Sequence, residues 1–150
     1  MDYFERIDGV LHAEDVSLPA IADAVGTPVY VYSQATLQRH ARVFREGLSA
    51  LDDPLIVFAV KANPNLAVLR VLQREGFGAD VVSGGELRRA LAAGISPDKI
   101  VFSGVGKTRA ELELGLDTGI TQFNIESREE GMELAEIAAV RGERARAALR

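Results

Sequence analysis

Leu55-Ile56-Val57-Phe58-Ala59-Val60-Lys61-Ala62-Asn63-Pro64-Asn65 decides how the chain is read. Its first six residues are apolar and rich in β-branched and aromatic types, the composition of a strand buried on both faces. Asn63-Pro64 breaks the strand, and Asn65 is placed to cap a following helix. Similar runs recur at residues 79–82, 99–102 and 121–125, and a last one begins at 146–150. Each interval between them has room for one helix and two short loops. That cadence is a βα repeat, whose parallel strands wind with one hand. Strands apolar on both faces need cover on both. An open doubly wound sheet meets that need, and so does half of an eight-stranded (β/α)8 barrel. The run at 146–150 reads as a strand cut as it begins, so the chain is expected to be the N-terminal part of a longer protein. The competing reading makes residues 141–150 a terminal helix.

The intervening helices carry their own punctuation. Ser83 leads into Leu87, Ala90 and Leu91, and Gly94 follows at the position that favours a left-handed residue. Thr108 with Glu111, and Ser127 with Glu130, have capping-box spacing ahead of apolar stretches. Ser33 caps a helix whose Leu37, Ala41, Phe44 and Leu48 share one face. The first 32 residues differ. Gly9-Val10-Leu11-His12 reads as a strand, residues 18–26 as a short helix, and Thr27-Pro28 enters a strand Val29-Tyr30-Val31-Tyr32. The expected division is therefore a segment 1–32 contributing to a β-domain and an α/β region 33–150.

Composition narrows the function. The 150 residues are 47% hydrophobic and 26% charged, the balance of a globular domain rather than a disordered chain. Without cysteine there is no disulfide framework, thiolate zinc or cysteine nucleophile in these residues, which suits a reducing cytoplasm. No apolar run is long enough to span a bilayer, and Met1-Asp2-Tyr3-Phe4-Glu5 does not start a secretory signal. A net charge of −5 argues against nucleic-acid binding. His12 and His40 stand apart from any second ligand, so no metal is expected.

Two glycine-rich patterns fail. Gly104-Val105-Gly106-Lys107-Thr108 resembles the end of a P-loop, but Val101 stands where its first glycine belongs, and Arg109 replaces the third glycine of a dinucleotide fingerprint. Lys61 remains. Functional side chains of βα proteins gather at the C-terminal ends of strands. A lysine there, backed by apolar neighbours, loses hydration, and a neutral amine attacks carbonyl carbon. On spacing alone, a solvated lysine closing a strand is the preferred reading. Asp80, Ser83, Glu86, Ser103, Lys107, Asn124 and Glu126 mark the next strand ends. Capping explains the hydroxyls, but not Asp80, an acid in an otherwise apolar strand that needs a partner if buried.

Phe58-Ala59-Val60-Lys61-Ala62-Asn63 resembles the signature of the fold-type III pyridoxal-phosphate decarboxylases, with Phe58 in place of a frequent Tyr. Residues 78–87 and 102–108 resemble the diaminopimelate decarboxylase branch, and residues 26–32 and 123–127 also fit. The resemblance runs in order over nearly the whole chain. It implies an alanine-racemase-like (β/α)8 barrel, of which the first half is present, and a β-domain to which the N-terminal strands contribute. It implies pyridoxal 5'-phosphate held covalently by Lys61, with Asp80 close to the cofactor and Ser83, Glu86 and Lys107 lining or bracing the site. The implied activity is that of a carboxy-lyase removing CO2 from the D-configured centre of meso-2,6-diaminopimelate to give L-lysine, in a cytoplasmic homodimer. The family's ring-stacking histidine, phosphate loop, glutamate facing the pyridine nitrogen and substrate-binding segment are expected beyond residue 150. Residues 1–150 alone are therefore expected to be inactive. Alternatives are a related decarboxylase of another amino acid or of a siderophore or antibiotic precursor, and a non-catalytic barrel homologue that binds the complete enzyme.

Overall fold

The computed structural model describes residues 2–150, in two compact units, Met1–Ala50 and Leu51–Arg150. In the first, β1 (Phe4–Ile7), β2 (Val10–Ala13) and β3 (Val16–Ser17) form an antiparallel sheet in chain order. Ile7 pairs with Val10 across Asp8-Gly9, both at positive φ (50° and 83°), the tight turn that matches strand twist. Ser17 caps α1 (Leu18–Val25), and Ser33 caps α2 (Gln34–Gly47). Ser33 Oγ accepts from Thr36 N–H at 3.0 Å and donates to Glu14 Oε1 at 2.8 Å. Ala35 N–H also donates to that oxygen, and it is the main reason the Glu14 carboxyl titrates below its ordinary range.

Two expectations for this unit change. Residues 29–32 form no strand, because a strand exists only by pairing and none of the described residues pairs with them. On α2, of the four residues expected to share an apolar face only Ala41 is buried, and Phe44 is 56% exposed.

In the second unit β4 (Val57–Ala59), β5 (Gly78–Val81), β6 (Ile100–Phe102), β7 (Gln122–Ile125) and β8 (Ala147–Leu149) form one parallel sheet. Between them run α3 (Leu66–Arg74), α4 (Gly84–Ala92), α5 (Arg109–Thr118) and α6 (Arg128–Arg141). Gly142 closes α6 in the left-handed region, so residues 141–150 are not a terminal helix. The spatial order β4-β5-β6-β7-β8 repeats the chain order. A doubly wound sheet reverses direction partway. Here every crossover steps the same way, and right-handed crossovers that never reverse place all their helices on one face. This is the winding of a (β/α)8 barrel, present in part.

The helix-facing side of the sheet is the core. Phe58, Ala79 and Ile100 lie in one row, and Val81, Phe102 and Phe123 in the next, packed with Leu69, Leu87, Leu112 and Leu134. The Phe102 and Phe123 rings stack at 6.3 Å. A Cβ on Gly115 would come within 2.6 Å of the Phe123 ring, so α5 carries a glycine where it crosses that stack. The opposite face corrects the expectation of strands apolar on both sides. Its rows hold Ala59, Asp80, Val101 and Gln122, then Ser103 and Asn124, so the side without helices is substantially polar.

Candidate active site

The C-terminal edge of the sheet is built by the loops that follow each strand. After β4, Val60–Ala62 makes a single 3-10 turn, so Lys61 sits on that turn and not at the end of the strand. Val60 is fully buried and anchors it. Asn63 N–H closes the turn on Val60 C=O at 3.1 Å, Asn63 Oδ1 accepts from Asn65 N–H, and Asn65 Oδ1 accepts from Ala67 N–H to start α3. The backbone around Lys61 is thus tied on both sides. The expected loss of hydration is not seen: Lys61 is exposed, and its ammonium has no hydrogen-bond or ion-pair partner among the described residues. A single turn with one buried valine cannot strip water from a side chain of that length.

Asp80 finds the partner that its position demands. Ser103, 2% exposed, donates its hydroxyl hydrogen to Asp80 Oδ1 at 2.5 Å. Asn124 Nδ2 donates to Ser103 Oγ at 2.9 Å, and Gln122 Nε2 donates to Asn124 Oδ1 at 2.8 Å. Four residues, from β5, β7 and the position just past β6, therefore form a continuous row on the side of the sheet away from the helices. Ser103 and Asn124 mark strand ends in the sequence, but nothing there shows that they bond to Asp80; Gln122 carries no local signal.

Ser83 and Glu86 serve the backbone. Ser83 Oγ accepts from Glu86 N–H at 3.2 Å, and Glu86 Oε2 accepts from Val82 N–H at 2.9 Å. After β7, Ser127 accepts from Glu130 N–H, and Glu130 Oε2 accepts from Glu126 N–H. Thr108 and Glu111 form the capping box that the spacing predicts. Glu111 goes further, with its Oε1 accepting from Gly84 N–H at the start of α4 at 2.8 Å. The Thr108 N–H is the main cause of its carboxyl titrating below the ordinary range, against a smaller opposing effect of burial.

Lys107 is buried. Its ammonium donates to Gly104 C=O and Asn124 C=O, each at 2.8 Å, and pairs with Glu130 Oε1 at 2.5 Å. Two hydrogen bonds and a buried ion pair hold the ammonium, so Lys107 acts as a brace between the β6–α5 loop, β7 and α6 rather than as a group open to a ligand. Glu130 enters the sequence reading only as a cap, since the pairing spans 23 residues. Nearby, Glu126 Oε1 accepts from Gly104 N–H at 3.3 Å and from the Arg150 guanidinium at 3.0 Å. His12 bonds locally to Val10 C=O, and His40 is exposed on α2.

Residues 34–150 match the family profile described as pyridoxal-dependent decarboxylase, pyridoxal binding domain. The chain belongs to the pyridoxal-dependent decarboxylases. Among decarboxylases of this family, the diaminopimelate decarboxylase of Pseudomonas fluorescens is 54% identical over 151 residues, covering 100% of this chain and 36% of that protein. The diaminopimelate decarboxylase of Zymomonas mobilis is 52% identical over 149 residues, covering 98% of this chain and 35% of the relative. The crystal structure of AQ1208 from Aquifex aeolicus superposes with a TM-score of 0.89 at 47% identity, over 99% of this chain and 36% of that one. The diaminopimelate decarboxylase of M. jannaschii, solved in co-complex with L-lysine, superposes with a TM-score of 0.91 at 35% identity, over 99% and 36%. The chain spans about a third of the length of the decarboxylases it matches. No helix among its described residues is long and apolar enough to cross a membrane.

Proposed function

We propose that the chain is the N-terminal part of a pyridoxal-phosphate-dependent carboxy-lyase that converts meso-2,6-diaminopimelate to L-lysine and CO2. The observation that carries the reading is the Lys61 amine, exposed and unpaired on a tied turn just past the first strand of a singly wound parallel sheet. An unencumbered primary amine is what an aldehyde cofactor requires, so the residues present fit pyridoxal phosphate. Lys61 would hold it covalently, with Asp80 beside it. When bound, the pyridoxal ring supplies an electron sink for the charge left as CO2 departs.

The chain's own residues do the remaining work in this reading. Lys61 Nζ would anchor the cofactor and, when not so engaged, would be an amine able to carry a proton. Asp80 offers a carboxylate oxygen fixed in direction by Ser103. Ser83 and Glu86 shape the β5–α4 loop, and the Lys107–Glu130 pair braces the next two. Residues 1–32 contribute to a separate β-domain and residues 33–150 to the barrel, and the enzyme works as a cytoplasmic homodimer; the resemblance of residues 26–32 and 58–127 to the branch supports both.

Borohydride reduction of the complete enzyme followed by peptide mapping tests the anchor, with the pyridoxyl group expected on Lys61. A label on any other lysine overturns the assignment. Turnover of meso-diaminopimelate against ornithine and arginine tests the substrate, and a preference for either of the latter transfers the chain to a related decarboxylase.

A further inference from the structure

The row Gln122–Asn124–Ser103–Asp80 has a polarity. Gln122 Nε2 donates to Asn124 Oδ1, which turns the Asn124 amide nitrogen toward Ser103. Asn124 Nδ2 then occupies a lone pair of Ser103 Oγ, and the single hydroxyl hydrogen of Ser103 goes to Asp80 Oδ1. A carboxylate can only accept, so Asp80 is the end of the row and fixes its direction. The 2.5 Å Ser103–Asp80 contact lies at the short end of O–H···O⁻ distances, where charge assistance is strongest. Ser103 is buried, whereas Asp80, Gln122 and Asn124 are only partly covered. Asp80 Oδ2 has no partner among the described residues. The register sets Asp80 opposite Ala59, two residues before Lys61.

We infer that Ser103 and Asn124 are positioning residues: together they hold one oxygen of Asp80 so that the other faces the cofactor attached at Lys61. The inference rests on the cofactor reading above and adds two residues to it. A side chain with two rotatable bonds, left without this row, turns freely about both. With Oδ1 taken, its free oxygen has one direction. Ser103 and Asn124 touch no reacting atom in this scheme and act only through Asp80.

The test uses the complete enzyme, with two readouts: decarboxylation kinetics, and the dissociation constant of pyridoxal phosphate from the apo-protein by absorbance titration. Ser103→Ala removes the donor and is expected to lower kcat by about 10- to 100-fold with a much smaller change in KM, the size expected for one lost bond to a charged group. The same variant is expected to weaken cofactor retention by about tenfold. Ser103→Thr keeps the hydroxyl and restores both. Should Ser103→Ala fold poorly, Asn124→Asp answers the question without changing volume. It puts an acceptor where a donor stood, still bonded by Gln122, and draws the Ser103 hydrogen away from Asp80. It is expected to reproduce the Ser103→Ala losses.

A role exercised through Asp80 also predicts non-additivity. Asp80→Asn/Ser103→Ala is expected to be no worse than Asp80→Asn alone, because the second change acts on a partner already altered. Losses that multiply would overturn the inference, as would unchanged kinetics and cofactor affinity in Ser103→Ala and Asn124→Asp. Those outcomes leave Lys61 labelling intact. Wild-type enzyme that takes up no pyridoxal phosphate at Lys61 would instead overturn the cofactor reading and this inference with it.

Discussion

Residues 4–17 fold as three antiparallel strands with little buried against them, whereas residues 57–149 bury every one of the largest enclosed side chains, Phe102, Phe123, Leu69, Leu87, Ile100 and Leu112 among them. Among the described residues of the first unit the buried apolar ones are Ala13 and Ala41, and cohesion comes from hydrogen bonds such as Ser33 and Ala35 to Glu14 and Tyr3 N–H to Thr36. Ile7, Val16, Val29 and Tyr30 stay exposed. The difference teaches that a βα array generates its own core, because each helix covers the strands that flank it. A small antiparallel sheet with one face uncovered does not. It also separates chemistry from architecture, since the candidate site lies wholly on the unit that has the core.

The contrast can be broken at its functional end first. Lys61→Ala in the complete enzyme is expected to lower CO2 release by at least about a thousandfold, with unchanged thermal unfolding of the cofactor-free protein, because an exposed side chain without partners contributes chemistry and not packing. A parallel loss of stability would show that Lys61 is part of the architecture after all.

Next in size is the buried pair. Lys107→Met leaves the Glu130 carboxylate enclosed without its cation and is expected to cost about 3–5 kcal/mol in denaturant unfolding. The double variant Lys107→Met/Glu130→Leu is expected to recover most of it. Failure to recover would mean that the bonds to Gly104 and Asn124 carbonyls matter more than the charge.

A direct comparison of the units follows. Leu112→Ala opens a cavity beneath the sheet and is expected to cost about 2–5 kcal/mol, against less than about 1 kcal/mol for Phe44→Ala on α2, as for an exposed site. Equal costs would erase the contrast and mean that the α2 face is covered in the folded protein.

The smallest effect concerns acid. Glu111 titrates lower folded than unfolded, so the stability it contributes is complete above its ordinary value of 4.5 and fades as pH falls below it. Glu111→Gln is expected to cost about 1 kcal/mol at neutral pH, as for a lost cap, and to flatten the acid limb of the stability profile. An acid limb identical to wild type would assign that loss to other carboxylates, with Glu14 the next to test.

Much of the second unit is legible in the sequence because its signals are local. Strand runs, Thr108 and Glu111, Ser127 and Glu130, and Gly94 at φ 89° all act within a few residues of where they are read. The first unit was less legible for two different reasons. Asp8-Gly9 is a strong hairpin signal, but of the two short strands it joins only β2 has a readable apolar run. Residues 29–32 have the composition of a strand, but composition does not supply a partner. The site divides the same way. Lys61 stands out by motif, whereas the bonds joining Asp80 to Ser103 and Lys107 to Glu130 link residues 23 apart and have no periodicity to reveal them.

The Glu111 carboxylate serves its own helix and, through Gly84 N–H, the helix before it. Anyone shuffling such barrels module by module would meet this as a seam. A chimera joined between residues 84 and 111 takes a donor from one parent and its acceptor from another, whereas a joint outside that interval transplants both together.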